Sequence, residues 1–345
     1  MRGALSQPKC DGDSLKQNSF KAIGIQGLGV CLPDRILSNA DLEKMVDTTD
    51  EWIYTRTGIR ERRILSPGQA PSEIAEVAAR RAMADAGVGP EDIDGVLFCT
   101  YTPDYMMPTS ACLMQGRLGI PSCMAFDMNA ACTGFVYGLQ AAYALIRSGM
   151  ARRVLVIACD CASRLMDYTD RSTCILFGDG SGAAIVGEVP EGRGILGNFA
   201  GCDGKGGTLI CQPIGGSAHP LTAENFANKD RYIQMNGREV FKFAVRIVQD
   251  AMDKALEDAG MQASEIDLLV MHQANIRIIH AAMERYGFGH DRVVIDIEKH
   301  GNTSSASIPV ALETARQEGR LKPGTTCAFV AFGAGLTYAA SIVRW

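Results

Sequence analysis

One of the twelve cysteines in this 345-residue chain sits where a nucleophile would be built. The run Cys123-MAFDMNA reads as a strand ending in small residues. Thr133-GFVYGLQAAYALIRS reads as a helix with Phe135, Leu139, Ala142 and Ile146 on one face. Cys132 falls at the junction. A thiol at a helix N-terminus feels the positive end of the dipole and unpaired backbone N–H groups, so a lowered pKa and a larger thiolate fraction are expected. Ala130, Ala131 and Gly134 leave room for a substrate carbonyl. The layout suits covalent catalysis from a tight strand-to-helix turn; an ordinary buried cysteine is the competing reading. Two further residues could act with it. His272 follows the apolar run 266–271, and Asn302 lies in the GNT turn of Asp296-IEKHGNTSSASIPVALETA, a segment that repeats the strand–turn–helix shape around Cys132. A histidine after a buried strand is more often structural and GNT is a common turn, so only their combination with Cys132 is informative.

An internal duplication would bring the three together. Arg81-AMADAGVGPEDIDGVLFCT and Lys254-ALEDAGMQASEIDLLVMH align without gaps at an offset of 173 residues, half the chain. Ala82/Ala255, Asp85/Asp258, Ala86/Ala259, Gly87/Gly260, Ile93/Ile266 and Asp94/Asp267 are identical. Each copy predicts an amphipathic helix stopped by glycine, a short polar loop and an apolar strand. Arg147-SGMARRVLVIACD and Gln317-EGRLKPGTTCAFVAFG continue the parallel. Helices alternating with buried strands predict α/β sheets covered on both faces. The expected division is a tail over 1–19, a first half over 20–190 carrying Cys132, and a second half over 191–345 carrying His272 and Asn302. Residues 192–216 read as a glycine-rich surface loop, 229–235 as a connector and 239–258 as a helix.

Composition excludes several classes. With 47% hydrophobic and 21% charged residues and 37 glycines, the chain is neither disordered nor a coiled coil. A net charge of −5 gives no general attraction to nucleic acid or anionic lipid, so an anionic partner must meet a local basic patch. No CxxC occurs, His219, His280, His290 and His300 show no ligand spacing, and no metal site is expected. The first twenty residues lack the apolar core of a secretory signal, and the stretch 328–343 is short and glycine-interrupted for a bilayer span. The expectation is a cytoplasmic protein with free thiols, most of them small core residues and eleven of them bystanders to the chemistry. Gly24-IQGLG is the wrong order for a dinucleotide loop, and the glycines of FGDGSGAA lack the GK[ST] of a phosphate cradle.

The segments MVDTTDEWIYTRTGIRERR (45–63), DMNAACTGF (127–135), FGDGSGAA (177–184), HQANIRI (272–278), HGNTSSASIP (300–309) and FGAGLTY (332–338) resemble, in order, the motifs of β-ketoacyl-acyl-carrier-protein synthase III, a condensing enzyme of the thiolase superfamily. The resemblance runs from about Lys21 to Trp345. It implies a homodimer of thiolase-like chains, each with two duplicated α/β halves in five α-β-α-β-α layers. Cys132 would take an acyl group from acyl-CoA and pass it to the carbanion left when malonyl-carrier protein loses carbon dioxide. The backbone N–H groups of Cys132 and Ala334 would hold the first oxyanion, and neutral His272 with Asn302 would hold the enolate. Trp52 and Arg171 would flank the adenine of CoA, with Arg56 near phosphate and Thr48 nearby. Asn275 would meet the pantetheine or a water network, and Phe332 would gate decarboxylation. Lys242 and Arg277 would dock the acidic carrier protein. No resident cofactor is implied. Asn302 replaces the second histidine of elongating ketosynthases, and FGAG lacks the second cysteine of degradative thiolases; Cys327 lies in a strand.

In the family the YMMP loop (105–108) crosses the dimer and closes the partner's acyl pocket, and many members carry an aromatic at the position of Met107. With Ala162 where bulkier residues occur, this suggests a primer larger than acetyl. A secondary-metabolite condensing enzyme with the same three residues, an acyl hydrolase or transacylase using Cys132, and a non-catalytic acyl-binding protein are the alternatives.

Overall fold

Short apolar runs of β-branched and small residues make strands that need cover on both faces. The computed structural model describes residues 22–345, and the tail expected over 1–19 lies outside the described residues. In chain order the main strands are β1 (Ile23–Cys31), β2 (Gly95–Cys99), β3 (Met124–Met128), β4 (Val154–Cys161), β5 (Asp179–Glu188), β6 (Gly194–Cys202), β7 (Leu268–Met271), β8 (Thr326–Gly333) and β9 (Thr337–Arg344). The main helices are α1 (Asp50–Thr57), α2 (Pro71–Ala86), α3 (Ser110–Leu118), α4 (Gly134–Arg147), α5 (Gly237–Ala259), α6 (Ile276–Tyr286) and α7 (Ser307–Gln317).

Two mixed sheets result, ordered β1-β5-β4-β2-β3 and β7-β8-β9-β6. Strands β2, β3 and β4 run parallel, as do β7 and β8, and the other pairings are antiparallel. Helices α2 and α3 cover the outer face of the first sheet, α5 with α6 that of the second, and α4 and α7 lie between. This is the five-layered thiolase-like arrangement. The middle layer is the driest: Phe135, Leu139, Leu312 and Phe329 share one fully buried cluster spanning both sheets. Helix α4 is apolar nearly all round because it faces a sheet on each side.

The identities in the repeat have physical reasons. Helices α2 and α5 end at Gly87 and Gly260, left-handed at φ 65° and 64°, with the same pair of capping bonds to the last turn. Asp85 accepts from Leu28 N–H and Asp258 from Asn198 N–H, tying each helix to the first strand of its sheet at 2.8 Å. Asp94 accepts from the N–H groups of Arg152 and Arg153, and Asp267 from that of Thr326.

Two expectations fail. Most of the stretch 192–202 is no loop: β6 pairs with β9 along its length. Its glycines permit close approach, since a Cβ on Gly197 would fall 2.5 Å from Ala255 O and one on Gly201 against the Tyr338 ring. The strand expected before Asn302 shrinks to one bridge, Leu269 to Val293, followed by a short helix Ile297–His300. The helix forecast at 239–258 runs over α5, capped by Asn236. Residues 328–343 fold as the antiparallel pair β8 and β9, and no helix among the described residues is long and apolar enough to cross a membrane.

Candidate active site

Three turns meet between the sheets. The 3-10 turn Ala131–Thr133 carries Cys132 into α4, and its counterpart Ser304–Ala306 leads into α7. Ala131 at φ 47° and Ser304 at φ 53° are the only non-glycine residues with positive φ among those described, and they are 173 residues apart. Such backbone costs about 1–2 kcal/mol per residue. The third turn follows β8, where a Cβ on Gly333 would lie 2.8 Å from Cys132 N. Thr337 Oγ1 pins that turn to Ala130 O at 3.1 Å.

The cavity at this junction, about 550 Å³, is lined by Cys132, His272, Asn302, Phe332 and Ala334 together. His272 extends from the end of β7, its N–H bonded to Val330 O and its Nδ1 2.6 Å from Ser307 Oγ, with Phe332 edge-on at 5.4 Å. Burial pushes its pKa down to about 3, so the ring is neutral. Asn302 hangs from Leu176 O by its N–H, and its Oδ1 accepts from Ser304 N–H at 2.8 Å. Its NH2 is the half of the side chain not held. The thiol corrects an expectation. Cys132 keeps partial exposure to the cavity, yet burial pushes its pKa up to about 12, outweighing a 3.4 Å hydrogen bond from Ser304 Oγ and the local backbone. The helix start does not win against desolvation.

Family models described as 3-oxoacyl-[acyl-carrier-protein] synthase III and its C-terminal part match residues 126–204 and 256–345. The beta-ketoacyl-[acyl-carrier-protein] synthase III of Symbiobacterium thermophilum is 50% identical over 326 residues, 94% of this chain and 99% of that protein. The chain belongs to the β-ketoacyl-acyl-carrier-protein synthase III family. The relative from Caldanaerobacter subterraneus is 49% identical over 94% of this chain and 98% of its own. The solved synthase III of Aquifex aeolicus superposes with a TM-score of 0.86 at 42% identity, covering 94% of this chain and all of that one. The protein is therefore a condensing acyltransferase of fatty acid initiation, acting with acyl carrier protein.

Among the other residues implied for a synthase III, Trp52, Arg56 and Asn275 line the same cavity. Trp52 rides on α1, with the Arg56 guanidinium 4.3 Å and that of Arg171 4.9 Å from its ring. Arg171 is also bonded to Asp47 O at 2.7 Å, so a base stacking between Trp52 and Arg171 must displace it. Thr48 does not line the cavity, and its hydroxyl is buried without a partner. Asn275 spends its side chain on structure: Nδ2 donates to Arg56 O, and Oδ1 caps α6 at Arg277 N–H. Lys242 pairs with Glu239 at 2.8 Å, and Arg277 lies over Phe241, a lining residue. Ala162 is fully buried and Met107 is 87% exposed; neither lines the cavity within one chain.

Sequence reasoning missed Tyr101, a lining residue, and the supports Ser304, Ser307 and Asp160. The 173-residue offset was the available signal, because it carries Ala131 to Ser304, Cys132 to Ser305 and Asn129 to Asn302.

Proposed function

We propose that Cys132 is the acyl carrier, and that His272 and Asn302 drive decarboxylation of the malonyl unit. The observation behind this is which polar atoms remain free. Asn302 Oδ1 is held by Ser304 N–H, so its NH2 faces the cavity. Ser307 sits on His272 Nδ1; a hydroxyl proton donated there leaves the ring proton on Nε2. Two neutral donors then line the same cavity, as holding an enolate requires.

In the first step the Cys132 thiolate attacks the thioester of an acyl-CoA. The oxyanion is held by the N–H groups of Cys132 and Ala334, and CoA leaves with the proton the thiol gave up. In the second, the malonyl thioester on the carrier enters and its C–C bond breaks. Carbon dioxide departs, and the electron pair forms an enolate held by His272 and Asn302. Its carbon attacks the acyl-Cys132 carbonyl, and collapse expels the Cys132 thiolate and leaves β-ketoacyl-carrier protein. Phe332, packed on the His272 ring, shields this charge from water.

Trp52, Arg171 and Arg56 would grip the adenine and phosphates of CoA, with Thr48 beside them, and Asn275 would keep one N–H for the pantetheine arm. Lys242 and Arg277 flank the lining residues Phe241 and Asn275, and in a chain of net charge −5 they would give the acidic carrier its local positive field. Strand β3 is an edge strand with every residue half-buried and only β2 beside it, a surface suited to a second copy of the chain. The exposed Met107 loop could then reach the partner's acyl site, in a homodimer working in the cytoplasm. No step calls for a resident cofactor.

The test mixes the protein with acyl-CoA and malonyl-carrier protein and follows acylation by intact mass and product by chromatography. Acylation confined to Cys132 and a ketoacyl product are expected. His272→Ala and Asn302→Ala should still acylate but lose ~100–1000-fold in decarboxylation, the usual cost of one donor. Free acid as the sole product, or full activity in Cys132→Ser, would refute the reading.

A further inference from the structure

A buried thiol with a neutral histidine nearby lacks an evident source of thiolate stabilisation, and the turn opposite supplies one. Among the described residues, Ser304 is the one side chain that hydrogen-bonds Cys132 Sγ, at 3.4 Å. Its backbone is held at φ 53°, where a residue with a Cβ is strained. The strain aims the hydroxyl across the boundary between the halves. We infer that Ser304 is a catalytic residue, whose O–H hydrogen bond to Sγ stabilises the Cys132 thiolate before acyl transfer. This rests on the reading of Cys132 as acyl carrier.

A serine hydroxyl has one proton, and the Asp160 carboxylate, which the Ser304 side chain also contacts, competes with the sulfur for it; that carboxylate has other donors. Asp160, at the end of β4, is already held by Thr100 Oγ1, Tyr101 N–H, Ser305 N–H and Ser305 Oγ at 2.6–3.1 Å. Tyr101 also hydrogen-bonds Ser304 through its hydroxyl. With the serine O–H directed at sulfur, Tyr101 is the donor in that contact and Ser304 Oγ accepts. The order Tyr101 to Ser304 to Cys132 lets every hydroxyl proton be used, and the Ser304 proton stays on oxygen throughout. The remaining groups near the thiol are the carboxyl of Asp160, which opposes the thiolate, and neutral His272 in the same cavity wall.

The test is the pH dependence of Cys132 alkylation by iodoacetamide in the full chain, read by intact mass. Ser304→Ala removes the donor. Ser304→Gly also removes it but accepts left-handed backbone, so it separates the hydroxyl from the strain. In both, the midpoint for alkylation should rise by about one pH unit and acylation by acyl-CoA at pH 7 should slow about tenfold, the scale of one hydrogen bond to a charged group. Tyr101→Phe should move the midpoint in the same direction by less. An unchanged midpoint in Ser304→Gly overturns the inference. If alkylation of wild-type Cys132 leaves condensation intact, the acyl-carrier reading itself fails instead.

Discussion

Replacing Gly333 by alanine tests how tightly the two halves are built around the nucleophile. Gly333 ends β8, and an added Cβ would lie 2.8 Å from Cys132 N, 3.2 Å from its Cβ and 3.3 Å from its Cα. Ordinary van der Waals contact begins at 3.4 Å, so the two backbones must part by about 0.6 Å. Neither is free to move. Thr337 Oγ1 bonds both Ala130 O and Ala334 O, and Thr133 Oγ1 reaches Thr337 at 2.8 Å, clamping one turn to the other. Overpacking of this kind costs about 1–3 kcal/mol of stability, a shift of a few degrees in Tm. The larger effect should fall on the proposed oxyanion donors, the N–H groups of Cys132 and Ala334, which sit on either side of the clash. Misplacement by 1 Å costs about 100-fold, so a shift near half that predicts about tenfold slower acylation of Cys132. Rapid mixing with acyl-CoA and intact-mass detection measures the step directly. Acylation at the wild-type rate with an unchanged Tm would refute the claim that these turns are in contact and rigid.

Asp296 is 5% exposed, and burial pushes its carboxyl pKa up to about 7. A folded pKa above the unfolded one means stability that is full below about pH 4 and is lost as pH rises towards 7. Asp296→Asn should therefore gain stability relative to wild type at pH 8 and gain little at pH 4, measured by denaturant midpoints; an equal difference at both pH values would contradict it. The chain has two tryptophans, so Trp345→Phe leaves Trp52 as the sole reporter. Acyl-CoA should change its fluorescence as it displaces the Arg171 guanidinium now 4.9 Å from the ring, and a flat titration at concentrations that acylate Cys132 would remove Trp52 from the CoA site.

The sequence was most readable where local and global demands coincide. The repeat around Gly87 and Gly260 predicted both helix ends and both following strands, because a left-handed cap, a short loop and an apolar run each leave a residue-level mark. It also placed His272 opposite Cys132 without any contact being known. Glycine misled where it served packing instead of turning: Gly197 and Gly201 look like loop residues but let a strand lie close to α5 and Tyr338. The thiol's acidity was misjudged because a helix start is visible in sequence, whereas the depth of burial is a property of the whole assembly. Ser304 was hidden for a related reason, since its role depends on a strained backbone that serine does not advertise.

The duplication also accounts for the division of labour between the halves. At two pseudo-equivalent pairs one member faces the cavity and the other serves cohesion. Cys132 faces the cavity, whereas Ser305, 173 residues on, turns inward to donate to Asp160 at 2.6 Å, with its Oγ 3.3 Å from Cys99 O. His272 faces the cavity, whereas its counterpart Cys99 is fully buried in the central core. On the proposed reading the Cys132 turn and the Asn302 turn serve different steps, because acyl carbonyl and malonyl carboxylate must approach from different directions. Two copies of the turn, meeting through α4 and α7, provide two such directions within one rigid layer. The contacts of Ser305 with Asp160 and Cys99 cross from the second half to the first, so this position holds the halves in register. Loss of the Ser305 side chain should accordingly weaken acylation and decarboxylation together, whereas loss of the Ser304 hydroxyl, which reaches Cys132 Sγ, should fall mainly on acylation.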